Sequence, residues 1–291
     1  MRWLFHIVRE GTLVSGAYAP ASLKREKFIH ASFKDQVLES ARVHFANETH
    51  LSVLLIDPRR LDASVRVEPT PRGPMPHIYG PIPSDAIRNV LTLDELPSAP
   101  DDVKGSRFAF VAFDGMTLLD LVGVHDPLSR IETMGFDPTS RFEIIGATGP
   151  RVWAYGGAEV TVARVRPPLF EFDVVVVPGG PGARGLTRDR EIIAWLETFP
   201  SNRVMASVCT GALLLGAAGR LMQKRATTHH ASVKLLETYG AIPAKGRVVE
   251  DGQTVTGGGV TCALDVGMCL LRRFVRDEFV RTIADQMEIP R

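Results

Sequence analysis

Cysteine is scarce in this chain of 291 residues: three occur, Cys209, Cys262 and Cys269, all in the last third. So sparse and odd a set, without CxxC or Cys/His spacing, excludes a disulfide framework, offers no zinc pattern and fits a reducing compartment. Charge of one sign is also lacking. With 34 Lys and Arg against 33 Asp and Glu the formal net charge is +1, so no overall field favours DNA, RNA or an anionic membrane. No apolar stretch approaches the ~20 residues that span a bilayer, and the run in MRWLFHIVREGTL is too short for a signal-peptide core. A cytoplasmic location is the default expectation. No repeat or low-complexity tract is present.

What remains is the composition of an ordinary folded protein, 45% hydrophobic and 23% charged. The length exceeds what one core usually organises, so two domains are expected. The segment LPSAPDDVKGS, Leu96 to Ser106, gathers Pro, Asp, Ser and Gly between apolar stretches and has the composition of an exposed linker. The expected division is 1–95, a linker over 96–105, and 106–291.

Before the linker, WLFHIV and LSVLLIDP read as short strands, while FKDQVLESARVHFAN places Phe33, Val37, Ala41 and Phe45 on one helical face. This is the pattern of a small α+β domain. PTPRGPMPHIYGPIP reads as a stiff proline-rich loop, and His6, His30, Glu68 and His77 either line a polar cleft or are separate surface and core residues. After the linker, strands alternate with helices: RFAFVAF, FEIIGAT, FDVVVVPGG, a helix through EIIAWLETF, VMASVC and GALLLGAAGRL. Such alternation implies a parallel sheet covered on both faces, and the uninterrupted Val174 to Val177 suits a strand buried on both sides. Doubly wound sheets bind ligands beyond the carboxyl ends of their strands, so the residues that follow each strand carry the chemistry.

A lone cysteine is ordinarily a small buried apolar residue. VMASVCTGALLLGAAG places Cys209 where an apolar strand stops and a helix begins at once, with Ser207 and Gly211 two positions to either side, as in G-x-S-x-G elbows. A thiol over a helix N-terminus is expected to be shifted toward thiolate, and Cys209 is the predicted nucleophile. In VVVVPGGPG, Gly179 and Gly180 bring backbone N–H groups near a substrate, and Gly180 N–H with Thr210 N–H is the predicted oxyanion hole. FDGMTLLDLVG supplies Asp114 and Asp120. Asp120, between two leucines, is expected to be enclosed, protonated and able to donate; equally, it could cap a helix beginning near Leu121. His229 and His230 in RATTHH are either base candidates or surface residues. Cys262 and Cys269, seven apart, share a helical face and are assigned to the core.

DLVG (Asp120 to Gly123), FDVVVVPGG (Phe172 to Gly180), SVCTGALLLGAAGRL (Ser207 to Leu221), RATTHH (Arg225 to His230) and RVVEDGQTVTGGG (Arg247 to Gly259) together resemble the ThiJ/PfpI, or class I glutamine amidotransferase-like, superfamily. Within it the isonitrile hydratase branch and relatives among AraC-type regulators are the most similar. The resemblance implies an α/β fold, a doubly wound, flavodoxin-like parallel sheet, after the small α+β domain. It implies Cys209 as nucleophile, Asp120 as acid/base, and Thr210 beside the sulfur, with Gly179, Gly180 and His229 around a substrate. Isonitrile hydratases usually have Pro after the DLxG glycine and Trp after the TTH histidine; this chain has Val124 and His230. FHIV, FIHAS, LLIDPRRL and PHIYGPI make the first 95 residues similar to an uncharacterised bacterial domain family. The expected activity is hydration or hydrolysis of a small carbon–nitrogen electrophile, an isonitrile giving an N-substituted formamide. Glyoxalase-, deglycase- or amidase-type chemistry with the same thiol is one alternative, and a non-catalytic ligand- or oxidation-sensing module is another. A small-molecule substrate, a homodimer and no cofactor or metal are expected.

Overall fold

The computed structural model describes residues 2–12, 16–101 and 105–290. Their contacts divide into two compact units, Met1–Lys104 and Gly105–Arg291. The segment expected to be an exposed linker from 96 is corrected at its start. Leu96 and Ala99 are buried in a cluster with Phe5, Val37 and Val53, because a short 3-10 turn, Leu96–Ser98, returns them to the N-terminal core. Asp102, Val103 and Lys104 lie outside the described residues.

The N-terminal unit contains two three-stranded antiparallel sheets. In one, Leu51–Ile56 lies between Leu4–Arg9 and Ile87–Thr92; in the other, Gly73–Ile78 lies between Ile29–His30 and Val65–Thr70. Leu54 and Ile56 enter one apolar cluster and Val53 and Leu55 another, so both faces of the central strand are covered and its run need not alternate. The helix Val37–His44 buries Val37 and Ala41, as the spacing predicted. The proline-rich segment is half strand rather than loop, which corrects the sequence expectation. Pro74 and Pro76 are accommodated in a central strand because its outer partner is only two residues long and pairs with Ile78 and His77. Pro76 also contributes its carbonyl, which accepts from Ala31 N–H at 3.0 Å.

In the C-terminal unit five strands run parallel in the order Arg141–Gly146, Arg107–Ala112, Val174–Val177, Val204–Val208, Thr254–Gly257, and Val248–Asp251 adds an antiparallel edge. Numbered along the chain, the parallel strands stand 2-1-3-4-5, the flavodoxin-like doubly wound order. Helix Leu118–Thr133 packs on Cys262–Phe274, and Pro181–Leu186, Arg190–Glu197 and Val233–Glu237 group around Gly211–Ala217. Val174 to Val177 are all fully buried, and removing each such side chain from water contributes about 1.5–3 kcal/mol. The order brings the ends of Arg107–Ala112, Val174–Val177 and Val204–Val208 to one rim, with the three motif turns beside one another. Cys262 and Cys269 are buried in their helix, as expected of core residues. No helix among the described residues is long and apolar enough to cross a membrane.

Candidate active site

Cys209 sits between Val204–Val208 and Gly211–Ala217 with φ +54°. The left-handed region costs an L-residue roughly 1–2 kcal/mol, and the surroundings over-determine it. Cys209 N–H donates to the carbonyls of Gly257 and Gly258 at 3.1 and 2.7 Å, while its own carbonyl accepts from the buried Thr228 hydroxyl at 2.7 Å. A strained residue held this firmly is common where geometry serves chemistry. The glycine of the elbow is sterically required: a Cβ on Gly211 would stand 2.2 Å from the Val177 carbonyl oxygen.

Asp120 lies in the first turn of Leu118–Thr133. Thr117 precedes that helix, so Asp120 is inside it and not its cap. Its side chain has no exposure. Oδ2 accepts from Gly179 N–H at 2.9 Å, Oδ1 has no nitrogen or oxygen partner, and the thiol of Cys209 supplies the remaining hydrogen-bonding interaction. Burial pushes the acid up to about 6, with the Gly179 and Cys209 interactions opposing. Burial and the neighbouring Asp120 charge also push the thiol upward, against Thr210 hydrogen bonds and the charge of Arg184. The upward shift of Asp120 follows the sequence expectation, whereas the shift of Cys209 runs opposite to the expected thiolate. Desolvation and the facing carboxylate favour the thiol over the thiolate at Cys209, despite the seven-residue elbow helix that follows it.

Gly179 and Gly180 are forced to be glycine by close approach. A Cβ on Gly179 would be 2.5 Å from Thr210 N and 2.8 Å from Cys209 Cβ, and Gly180 adopts φ +125° with a Cβ position 2.4 Å from the Gly115 carbonyl oxygen. Gly180 N–H donates to Thr210 Oγ1 at 2.9 Å, and the Thr210 hydroxyl donates back to the Gly180 carbonyl at 3.0 Å. The predicted oxyanion hole is thus corrected by half. Gly180 N–H is already engaged, whereas Thr210 N–H is directed at the sulfur.

His229 does not join the thiol. Its Nδ1 accepts from Ala231 N–H at 3.3 Å and caps the turn His230–Ser232; burial, His230 and Arg184 push its pKa down. None of the groups acting on Cys209 is a histidine. Asp114 is likewise a brace, its carboxylate accepting from Trp153 N–H and the Thr148 hydroxyl at 2.9 and 3.1 Å. Val124 is fully buried and His230 exposed.

Two residues escaped the sequence reading. Thr228 lay inside a recognised motif but gave no sign of gripping the elbow carbonyl. Arg184, which acts electrostatically on both Cys209 and His229, hydrogen-bonds the Ser232 hydroxyl at 3.0 Å and has no carboxylate partner among the described residues. Nothing in its spacing announced it. No cluster of three or more metal-ligating side chains occurs among the described residues.

Comparison with known proteins follows the same division. Residues 9–90 match a family described only as a protein of unknown function (DUF952), and residues 106–273 match the DJ-1/PfpI family. An isonitrile hydratase of Pseudomonas putida is 34% identical over 62% of this chain and 78% of its own length. A helix-turn-helix-type transcriptional regulator of Pseudomonas aeruginosa, CdhR, is 26% identical over 63% of this chain and 55% of its own. Among solved structures, a ThiJ/PfpI family protein from Pseudomonas syringae superimposes with a TM-score of 0.59 at 27% identity, covering 67% of this chain and 84% of that one. Drosophila melanogaster DJ-1beta, at 19% identity and TM-score 0.57, covers 64% of this chain and shares the fold. With its family match extending over more than half of its length and its elbow, glycine turn and buried acid in the order of the motifs, the chain belongs to the DJ-1/PfpI family.

Proposed function

We propose that the C-terminal unit is a cysteine-dependent hydratase of a small carbon–nitrogen electrophile, with an isonitrile as the substrate type. The observation that carries the reading is the strained, buried Cys209 thiol against the fully buried Asp120, whose acidity is tuned to about 6. A group with that acidity is ionised yet still basic near neutrality, which suits proton transfer. As the sulfur adds to the terminal isonitrile carbon, Asp120 takes the thiol proton and returns it to that carbon, leaving a thioimidate. Water then adds at the same carbon, one of its protons passing through Asp120 to nitrogen. Collapse of the adduct breaks the carbon–sulfur bond, the thiol recovers its proton, and an N-substituted formamide leaves; the sum is isonitrile plus water.

The likeness to the isonitrile hydratase of P. putida supports this chemistry. The upward shift of the thiol pKa disfavours an oxidation sensor, since such sensors rely on an accessible low-pKa thiolate. The test is incubation with cyclohexyl isocyanide and detection of N-cyclohexylformamide. Cys209→Ala should lower turnover on the order of 10³-fold or more; turnover unchanged in that variant removes the thiol from the mechanism.

A further inference from the structure

The N-terminal unit holds a cavity of about 790 Å³ whose lining includes His6, Arg25, Glu26, His30, Arg72 and His77. That volume lies within the range of small-molecule sites. Phe5, Ile7, Ala31, Phe45 and Met75 supply apolar wall, and the polar groups are fixed in place by partners of their own. Glu26 is neutralised where it stands, Oε1 accepting from Arg25 at 2.6 Å and Oε2 facing His30 Nε2 at 2.6 Å. His77 is held by Glu68, which also accepts from the Tyr79 hydroxyl, and Phe28 stacks on its ring at 4.1 Å. His6 Nδ1–H donates to the His30 carbonyl at 2.6 Å, so its Nε2 is the acceptor of the Tyr18 hydroxyl at 3.2 Å.

Arg72 is the exception. Its half-buried guanidinium donates to neutral partners alone, His44 Nε2 at 2.8 Å and Ser40 Oγ at 3.3 Å, and it has no carboxylate partner among the described residues. Once the Arg25–Glu26 pair is set aside, Arg72 is, among the described residues that line the cavity, the guanidinium without a carboxylate partner. A guanidinium partly removed from water and left without a counter-ion is an anion site, since its planar fork matches phosphate or carboxylate oxygens. His6, enclosed by protein though open to the cavity, is pushed down to about 4 by burial, against its hydrogen bond to the His30 carbonyl. His44 is lowered by burial, Arg72 and His30.

We propose that this cavity binds a small organic anion, a phosphate or carboxylate on an apolar or aromatic body, with Arg72 holding the anionic group. The apolar wall selects the body, Arg72 the charge, and His44, whose Nε2 accepts from Arg72, keeps its Nδ1–H as a further donor. Isothermal titration calorimetry on the full chain with phenyl phosphate, benzoate and benzyl alcohol tests it and separates the two anion types. At least one anion should bind, at least tenfold more tightly than the uncharged alcohol, and Arg72→Gln should weaken it at least tenfold while Cys209→Ser leaves it unchanged. Should Arg72→Gln fail to fold, raising NaCl from 50 to 500 mM with the unaltered chain provides the second reading, because an interaction with Arg72 must weaken with salt. Binding of neither anion, equal binding of benzyl alcohol, or anion binding indifferent to both Arg72→Gln and salt overturns the proposal.

Discussion

The two units use burial for opposite ends. In the C-terminal unit one continuous core surrounds the proposed reactive pair, leaving Asp120 with no exposure and Cys209 with 6%. There desolvation sets acidity, and reactivity is tuned by removing water. In the N-terminal unit the apolar side chains divide into two smaller clusters, and its ionisable groups line a cavity open enough to admit a ligand. There the partners of each group decide what it can still bind. The two proposed sites thus differ in kind: one seals a group from solvent, the other leaves one charge without a carboxylate partner among the described residues at an opening.

The contrast breaks most sharply at glycine. Gly179→Ala drives a Cβ to 2.5 Å from Thr210 N, which is backbone and cannot step aside. A loss of roughly 3 kcal/mol or more in thermal denaturation is expected, with turnover of cyclohexyl isocyanide abolished. Gly11→Ala, at φ +76° with nothing within 4 Å, should cost about 1 kcal/mol from backbone conformation alone. Equal losses would mean that the close packing around Gly179 is not what holds the elbow.

Asp120→Asn sharpens the other side of the comparison. It keeps an acceptor for Gly179 N–H but removes the proton-transfer group, so kcat should fall roughly 10²-fold. Stability should move the opposite way. The folded acid titrates near 6, above its ordinary 3.8, so the folded state retains the proton more strongly and the penalty for burying charge grows as pH rises through about 6. On the order of 3 kcal/mol is at stake. The variant should therefore melt higher than the parent at pH 7 and lose that advantage by about pH 4. A variant less stable at both pH values would refute the burial account.

The smallest effect is the plainest titration. Because the Asp120 carboxylate must accept the thiol proton, kcat/KM for cyclohexyl isocyanide should fall about tenfold per pH unit below about 6 and level off above it. A profile flat from pH 5 to 7 would show that Asp120 is not the base.

Much of the C-terminal unit was legible along the chain. The unbroken valines of Val174–Val177, the strand-to-helix break at Cys209 and the paired glycines are local patterns whose sterics hold wherever such a sheet forms. The capping alternative places the start of the helix carrying Asp120 near Leu121, although Thr117, a favoured N-cap residue three positions before Asp120, marks the boundary the structure shows. Pro74 and Pro76 concealed a strand, since the two-residue partner that tolerates them comes from more than forty positions earlier.

By itself the sequence determined the alternation of elements, the tight elbow and the family, all consequences of apolar spacing and of where side chains cannot fit. Only the tertiary structure decided that burial and Asp120 favour the thiol form of Cys209, that Gly180 N–H is engaged, that His229 caps a turn, and that Arg72 lines a cavity without a carboxylate partner among the described residues. The reason is physical. Asp120 meets Gly179 across 59 residues and Gly180 meets Thr210 across 30, and acidity and hydrogen-bond satisfaction are sums over neighbours that chain distance does not reveal.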